Sequence, residues 1–244
     1  MRREKFTSHS VFHTNCLASN RVGYGQNNTE ASGKVTVGSF FAKCGKNAKF
    51  TLADLSVTGY PEKSCSGLFI LQKLDASGAS SNANSYYWYD DANHAAGWYD
   101  RKGQKPADTT LEFNQGQGFW TQGNGFKLVS SGEVTKKTIL CPTEVSGKVS
   151  IVNATPISHK LSELYVTGYP EKSCSGLFIM QKLDASGASS NANSYYWYDD
   201  ANHAAGWYDR KGQKPAENID VPSGTGFWVQ GNGFTLVLPK TDIE

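Results

Sequence analysis

One stretch of this chain occurs twice: VTGYPEKSCSGLFILQKLDASGASSNANSYYWYDDANHAAGWYDRKGQKPA fills residues 57–107 and returns at 166–216. The two copies differ only where Leu71 becomes Met180. The offset from Val57 to Val166 is 109 residues, which is too long for a solenoid, whose units run about 20–50 residues. It is typical of two small globular domains in tandem, so a site inside the block must occur twice.

The flanks of this block repeat less faithfully and set the length of the unit. Ser-Gly-Lys-Val opens both copies, at 32–35 and at 146–149, and Gly-Phe-Trp-x-Gln-Gly-Asn-Gly-Phe follows both blocks. Each unit is then close to the usual size of a domain that buries its own core. We predict three segments: a flexible N-terminal tail over 1–19, a first β domain over 20–138 and a second over 139–244.

Composition excludes several classes of protein. The formal net charge is +2 with 19% charged residues, and the mixed charges lack the basic stripe of a nucleic-acid binder. No apolar run is long enough to span a membrane. The five cysteines form neither a repeated pair nor a zinc spacing, so we expect buried or half-buried thiols. Because their number is odd, at least one cysteine cannot pair within the chain, and it could form a covalent dimer.

Short β-prone runs alternate with turn signals inside each unit. In the first copy, the run 34–41 predicts a strand, and the apolar run 67–74 predicts a strand at the centre of a sheet. The polar stretch 75–84 predicts a loop, and 51–55 a short helix. Glycine, serine, asparagine and tyrosine are abundant throughout, as in turn-rich β proteins.

Two turns in each unit predict β-hairpins. In the first copy, one hairpin joins 85–90 to 97–100. The other joins 118–122 to 126–130 through Gly-Asn-Gly, since glycine and asparagine accept positive φ at low cost. The predicted fold class is therefore all-β, with two tandem copies of a small antiparallel β-sandwich or barrel-like domain.

The order of these motifs resembles a known group of proteins. A Ser-Gly-Lys-Val opening, a Gly-Trp-Tyr-Asp strand and then Gly-x-Gly-Phe-Trp-x-x-Gly-Asn-Gly are similar to tandemly repeated modules of bacterial exported or surface proteins. The resemblance covers most of residues 20–240. It implies a repeated β domain that is extracellular or on the cell surface, and it implies no activity.

The stretch 86–100 is the richest in side chains that bind ligands. On a strand, Tyr86, Trp88 and Asp90 share one face, while Tyr87 and Tyr89 share the other. Only one face can point into the core of a small sandwich, so the other is expected to expose rings beside polar groups, as binding surfaces do. The candidate ligand-binding residues are Tyr86, Trp88, Asp90, Asp91, Asn93, Trp98 and Asp100, with their copies Tyr195, Trp197, Asp199, Asp200, Asn202, Trp207 and Asp209.

Sugars suit this stretch, because their C–H faces pack on aromatic rings while their hydroxyls bond to Asp and Asn. The tryptophans at 88, 98, 197 and 207 would be the stacking platforms. The competing interpretation is that each ring packs in the core or across strands, which is the commoner role of Tyr and Trp in sheets.

Nothing in the sequence predicts catalysis. Asp90 and Asp91 are adjacent and would point to opposite faces, so they cannot flank one bond. There is no Ser-His-Asp signature, nucleophile elbow or phosphate loop. The acidic turn lacks the spacing of a calcium loop, and His94 has no second histidine nearby. We expect no catalytic residues, no metal and no cofactor.

Two functions remain open. The first is a non-enzymatic tandem module that binds a glycan or another protein surface, weakly through one unit and better through two. The second is a structural or assembly repeat of a surface protein or filament without a small-molecule ligand. In that case the aromatic face is buried against a neighbouring unit or chain, and self-association is expected.

Overall fold

The computed structural model describes residues 11–14, 22–28, 35–38, 41–42, 50–74, 80–100, 103–123, 125–134, 137–143, 145, 149–183, 189–209, 211–224 and 226–240. Over these ranges the chain is all-β, with several antiparallel sheets that do not close into a barrel. The predicted fold class is confirmed at this level.

Thirteen strands lie before residue 135: β1 (Val11–Thr14), β2 (Val22–Asn28), β3 (Val35–Gly38), β4 (Phe41–Ala42), β5 (Phe50–Thr51), β6 (Leu55–Thr58), β7 (Cys65–Leu74), β8 (Ser80–Asp90), β9 (Gly97–Asp100), β10 (Lys105–Pro106), β11 (Glu112–Phe113), β12 (Gly118–Gln122) and β13 (Lys127–Val134). The remaining described strands are β14 (Ile139–Pro142), β15 (Val149–Val152), β16 (His159–Lys160), β17 (Tyr165–Thr167), β18 (Cys174–Leu183), β19 (Ser189–Asp199), β20 (Gly206–Asp209), β21 (Lys214–Pro215), β22 (Asp220–Val221), β23 (Gly226–Gln230) and β24 (Thr235–Leu238). Two single-turn 3-10 helices span Leu52–Asp54 and Leu161–Glu163.

Two larger sheets face each other in the first half of the chain. One has the strand order β10-β9-β8-β7-β12-β3, and the other joins β1, β2, β13 and β4, with β6 also paired to β13. The core cluster takes Cys65, Trp98 and Phe119 from the first sheet, and Val57 and Leu128 from the second. The core therefore lies between the sheets. The predicted central position of the run 67–74 is confirmed, since β7 lies between β8 and β12.

The second half repeats the strand pairing of the six-stranded sheet, and its smaller sheet has three described strands. Its sheets have the orders β15-β23-β18-β19-β20-β21 and β14-β24-β17. Trp197 is the register partner of Trp207, as Trp88 is of Trp98. A second core cluster fills the space between these sheets and is drawn entirely from residues 139–238.

The Gly-Asn-Gly turn does not form a hairpin, so that prediction is wrong. β12 pairs with β3 and β7, whereas β13 pairs with β2, β4 and β6. The Phe126 N–H donates to the Gly123 carbonyl (2.8 Å) and closes a turn that carries the chain from one sheet to the other. Phe119 and Leu128 thereby reach the same core from opposite sides.

The other expectations for local structure have mixed outcomes. The hairpin of 85–90 with 97–100 is confirmed as β8 and β9, and the short helix near 51–55 is a single 3-10 turn. The run 34–41 contains two strands, β3 and β4. The loop predicted over 75–84 is wrong from Ser80 onward, because β8 already begins there.

The N-terminal tail was predicted to be flexible over 1–19. Within it, Val11–Thr14 is a strand paired with β2, so the prediction is wrong for these four residues. Pairing with a neighbouring strand satisfies backbone groups that a free tail would leave to water. The rest of the predicted tail lies outside the described residues.

The two halves meet at the edges of their six-stranded sheets. Gln117 forms an antiparallel bridge with Ile151, and the Val152 N–H donates to the Gly116 carbonyl (2.9 Å). Strand β15 contacts both β3 and β12, and β3 also contacts β23. A Cβ added at Gly116 would lie 2.7 Å from the Cys141 Sγ, and its φ is +81°. Glycine is therefore required where the first half meets the second.

Three of the cysteines are described, and all three are buried thiols, as expected. Burial raises the pKa of Cys141 to about 12 and also raises the pKa of Cys174. A thiol with a raised pKa is a poor nucleophile at neutral pH, so neither favours a covalent dimer. Cys16 and Cys44 lie outside the described residues.

The second half has a buried polar side chain, His159, at a position where the first half has an apolar one. His159 Nδ1 lies 2.8 Å from Glu163 Oε2, but its buried Nε2 has no hydrogen-bond partner among the described residues. The matching residue of the first half is Phe50, also buried. Since an unsatisfied buried polar group costs about 1–3 kcal/mol, His159→Phe should raise the free energy of unfolding by about 1 kcal/mol, measured by chemical denaturation. The reciprocal Phe50→His should lower it, and a loss of stability in His159→Phe would contradict this account.

Candidate functional site

Strands β8 and β9 place their tryptophans in the core. Trp88 is 8% exposed and Trp98 is 3% exposed, and their rings meet edge to face with centroids 5.2 Å apart. Trp88 Nε1 donates to the Tyr60 hydroxyl (2.7 Å), and Trp98 Nε1 donates to the Leu55 carbonyl (2.9 Å). In the second copy the corresponding donors are Trp197 to Tyr169 and Trp207 to Leu164. The expectation that these four rings are stacking platforms is therefore corrected: their faces are covered and their N–H groups are bonded within the unit.

The tyrosines of β8 are covered on both sides of the sheet. Tyr86 is half-buried against the core, and burial is the main cause that raises its pKa. On the opposite face, Tyr87 and Tyr89 are buried as well. The face of β8 opposite the core was expected to expose its rings to solvent. It does not, because side chains and loops outside the core cover it. Tyr195 is half-buried in the same way.

The phenol of Tyr89 is held between two glycines. A Cβ added at Gly67 would lie 2.7 Å from its hydroxyl oxygen, and a Cβ added at Gly103 would lie 2.6 Å from its Cζ. The His94 ring packs on the phenol at a centroid distance of 4.4 Å, and the Tyr99 ring at 5.3 Å. Tyr198 is enclosed in the same way by Gly176 and Gly212.

Asp90 forms an ion pair with Lys63 of the same unit. Its Oδ1 lies 2.8 Å from Lys63 Nζ, and this hydrogen bond is the main cause that lowers the pKa of the carboxyl. The carboxylate is buried although the lysine is exposed. Asp199 and Lys172 form the same pair at 2.8 Å. These carboxylates are therefore neutralised inside the protein.

Asp91 organises the turn of the hairpin. Its carboxylate accepts from the Ser66 hydroxyl (2.7 Å) and from the backbone N–H groups of Asn93 (2.8 Å) and His94 (2.9 Å), and it lies 2.8 Å from His94 Nδ1. These bonds lower the pKa of Asp91 to about 2, with the Ser66 hydroxyl the largest cause. The pKa of Asp200 is lowered for the same reasons.

A serine, an aspartate and a histidine therefore meet here, but not as a catalytic relay. In such a relay the base accepts the proton of the nucleophile and the acid orients the base. Here the Ser66 hydroxyl donates to Asp91, and the histidine donates to the same carboxylate, because a carboxylate only accepts. The arrangement stiffens the turn and provides no activated nucleophile.

Few of the candidate residues remain open to solvent. Asn93 is exposed and Asp100 is half-buried, with Asp100 Oδ2 3.6 Å from Lys105 Nζ. Tyr99, which was not a candidate, is half-buried next to Asp100 in β9. Asn202, Tyr208 and Asp209 repeat this surface in the second copy. The described residues contain no group of three His, Cys, Asp or Glu side chains that could hold a metal ion.

Sequence reasoning missed the partners of these residues. Tyr60 and Lys63 come from the segment before β7 and Ser66 from the start of β7, and each bonds to a residue 25 to 28 positions later in the chain. No local pattern marks them. The one available signal was their presence inside the repeated block.

Comparison with known proteins adds no identity. No protein-family model, curated protein or solved structure matches the chain. No helix in the described part of the chain is long and apolar enough to cross a membrane.

Acid should loosen both hairpin turns. The pKa of Asp91 is about 2 in the folded protein against an ordinary value of 3.8, so its contribution is present above about pH 4 and lost as the pH falls toward 2. We expect the thermal midpoint of the native chain to fall over this interval more steeply than that of Asp91→Asn/Asp200→Asn. Glu62→Gln/Glu171→Gln is the control and should follow the native profile. Equal slopes for all three proteins would contradict the assignment.

Proposed function

We propose that this chain is a non-enzymatic structural and assembly module of an exported or surface-associated protein, made of two small antiparallel β-sandwich units in tandem over 20–138 and 139–244. One observation carries the proposal. Most polar and aromatic groups of the stretch 86–100, and of its copy, bond to or pack on other residues of the same unit, among them the four tryptophans and the carboxylates of Asp90 and Asp91. The resemblance to repeated bacterial surface modules supports the export and the tandem arrangement.

A small-molecule site needs polar groups that converge on the ligand and have no partner within the protein. Ligand pockets are concave and combine apolar walls with a few convergent polar atoms. Here the tryptophan N–H groups, the Asp90 carboxylate and the Asp91 carboxylate all have partners within the fold. What these contacts produce is rigidity, which suits a spacer or an assembly element.

Glycan binding is the second candidate, and a specific observation favours it. The turn that Asp91 organises presents an exposed Asn93, and the half-buried Tyr99 packs on His94 of the same turn with ring centroids 5.1 Å apart. The second copy has the same arrangement. A rigid polar and aromatic edge loses little entropy on binding. Two such edges in one chain would raise avidity if both reached one polysaccharide.

A glycan and polysaccharide panel separates the two candidates. For the structural role we expect no saturable binding by the full chain at any tested concentration. The variant Asn93→Ala/Asn202→Ala is the matched comparison, because both side chains are exposed and the Asp91 bonds use the backbone there. Saturable binding that this variant loses would overturn the structural proposal and establish a bivalent lectin-like module.

A further inference from the structure

The two halves differ on the outer face of the sheets that contain β13 and β24. In the second half, Leu140, Val237 and Tyr165 are register partners across β14, β24 and β17. Leu140 is 62% exposed and Tyr165 is 45% exposed. Val237 between them is buried but does not belong to the core cluster. Their neighbours Ile139 and Val166 do belong to it, so this row lies on the face turned away from the core.

The matching row of the first half is polar at both ends. Val129 there has Gln26 of β2 and Ser56 of β6 as its register partners. Two of the three positions are therefore polar in the first half and large and apolar in the second. Large apolar side chains that stay exposed on a sheet face lower solubility. Exposed apolar patches of this kind commonly mark interaction sites.

The edges of these sheets differ too. In the first half, the edge of β2 is covered by β1, with Val11 paired to Gln26. In the second half, no described strand takes the corresponding place beside β14, whose one described partner is β24. Open edges accept extended segments through backbone hydrogen bonds. The chain thus contains one strand that fits this kind of edge and a second edge of the same kind that no described strand covers.

We propose that the N-terminal strand of a second copy of this chain, Val11–Thr14, adds to the open edge of β14. This surface deepens the assembly role proposed above and rests on it. In the register of the first half, Val11 would pair with Leu140, since Leu140 matches Gln26, and Phe12 would pair with Ile139. The resulting row across four strands is Val11, Leu140, Val237 and Tyr165.

The second copy is favoured over other partners by this register. In this register β1 keeps two of its four pairs with strand residues, Val11 with Leu140 and Phe12 with Ile139, and its other two residues would lie beside Lys137 and Thr138, just before β14. The gain lies in the paired residue types: valine meets leucine rather than glutamine, in a row that ends in tyrosine rather than serine. Apolar and aromatic cross-strand pairs are more stable than mixed ones. Exchange of an identical element between protomers is a common route to dimers.

Sedimentation velocity of the full chain tests the association. We expect a concentration-dependent dimer or larger species. In Leu140→Gln/Tyr165→Ser, which has the residues of the first half, the dissociation constant should be at least about tenfold higher. Leu177→Ser removes a similarly exposed apolar side chain elsewhere, at 47% exposure, and should associate as the native chain does. A native chain that stays monomeric, or a dimer unaffected by the double variant, overturns the inference.

Photo-cross-linking tests the identity of the added strand. A benzophenone amino acid replaces Val11 in an isotopically labelled chain, which is mixed with unlabelled native chain. We expect labelled N-terminal peptides joined to unlabelled peptides that contain Leu140. Cross-links confined to the chain's own β2 would overturn the exchange even if dimers form. Glycan binding with a monomeric chain would instead overturn the proposed structural function, so the two failures are distinguishable.

Discussion

Replacing Trp207 with alanine should lower the free energy of unfolding by about 3–5 kcal/mol. The indole is 3% exposed and packs edge to face on Phe178 and Trp197, at centroid distances of 5.9 and 5.3 Å. Its Nε1 donates to the Leu164 carbonyl (2.7 Å). The alanine variant loses the packing, leaves a cavity and removes the donor of a buried carbonyl at once.

Chemical denaturation of the full chain measures this effect. Trp207→Phe is the matched control: it keeps most of the ring and loses the N–H, so we expect a loss of about 1–3 kcal/mol. A glycan-stacking tryptophan would behave differently, because an exposed ring can be removed with little effect on stability. An alanine variant that unfolds like the native chain would show that the ring is not a core residue.

The strands were predictable where their signal is local. The apolar run of β7 and the run of four aromatic residues in β8 each lie within one segment, and both strands form. Alternation and β-propensity depend on neighbouring residues in sequence, so a single chain carries them. The start of β8 at Ser80 was missed because Ser and Asn are typical of loops, and pairing with β7 overrides that preference.

The pairing of strands was harder to predict than their positions. A Gly-Asn-Gly turn specifies a reversal of the chain, and a reversal serves a hairpin and a crossing between sheets equally well. The choice depends on contacts distant in sequence: β13 takes Tyr24 and Ser56 as neighbours in its sheet, whereas β12 takes Val37. Nothing within the turn distinguishes these outcomes.

The burial of the aromatic rings in the candidate site was not predicted, for a related reason. Alternation correctly separates Trp88 from Tyr89, but it cannot say what covers either face. Tyr89, on the outer face of β8, is covered by Gly67, Gly103 and His94. Sequence reasoning placed Gly67 in a strand and His94 in a turn, and it made no assignment for Gly103. By contrast, the bonds of Asp91 to the backbone of Asn93 and His94 are short-range and typical of Asp in turns.

The close fit around the second enclosed tyrosine leads to the other large effect. Gly176→Ala should lower the free energy of unfolding by about 2–4 kcal/mol through two separate causes. The glycine has a φ of +72°, and alanine in that region costs about 1–2 kcal/mol. In addition, the new Cβ would lie 2.8 Å from both Cζ and the hydroxyl oxygen of Tyr198, and forcing extra carbon into a filled space costs about 1–3 kcal/mol.

A double-mutant cycle separates these causes. In a Tyr198→Ala background the clash is absent, so Gly176→Ala should cost only its backbone part, and the cycle should give a coupling energy of at least about 1 kcal/mol. Gly206→Ala is the control, because an added Cβ there has no neighbour closer than 4.0 Å, and its effect should stay within about 0.5 kcal/mol. Additive losses at Gly176 and Tyr198 would show that the glycine serves only its backbone conformation, and that the phenol is not held by close contact.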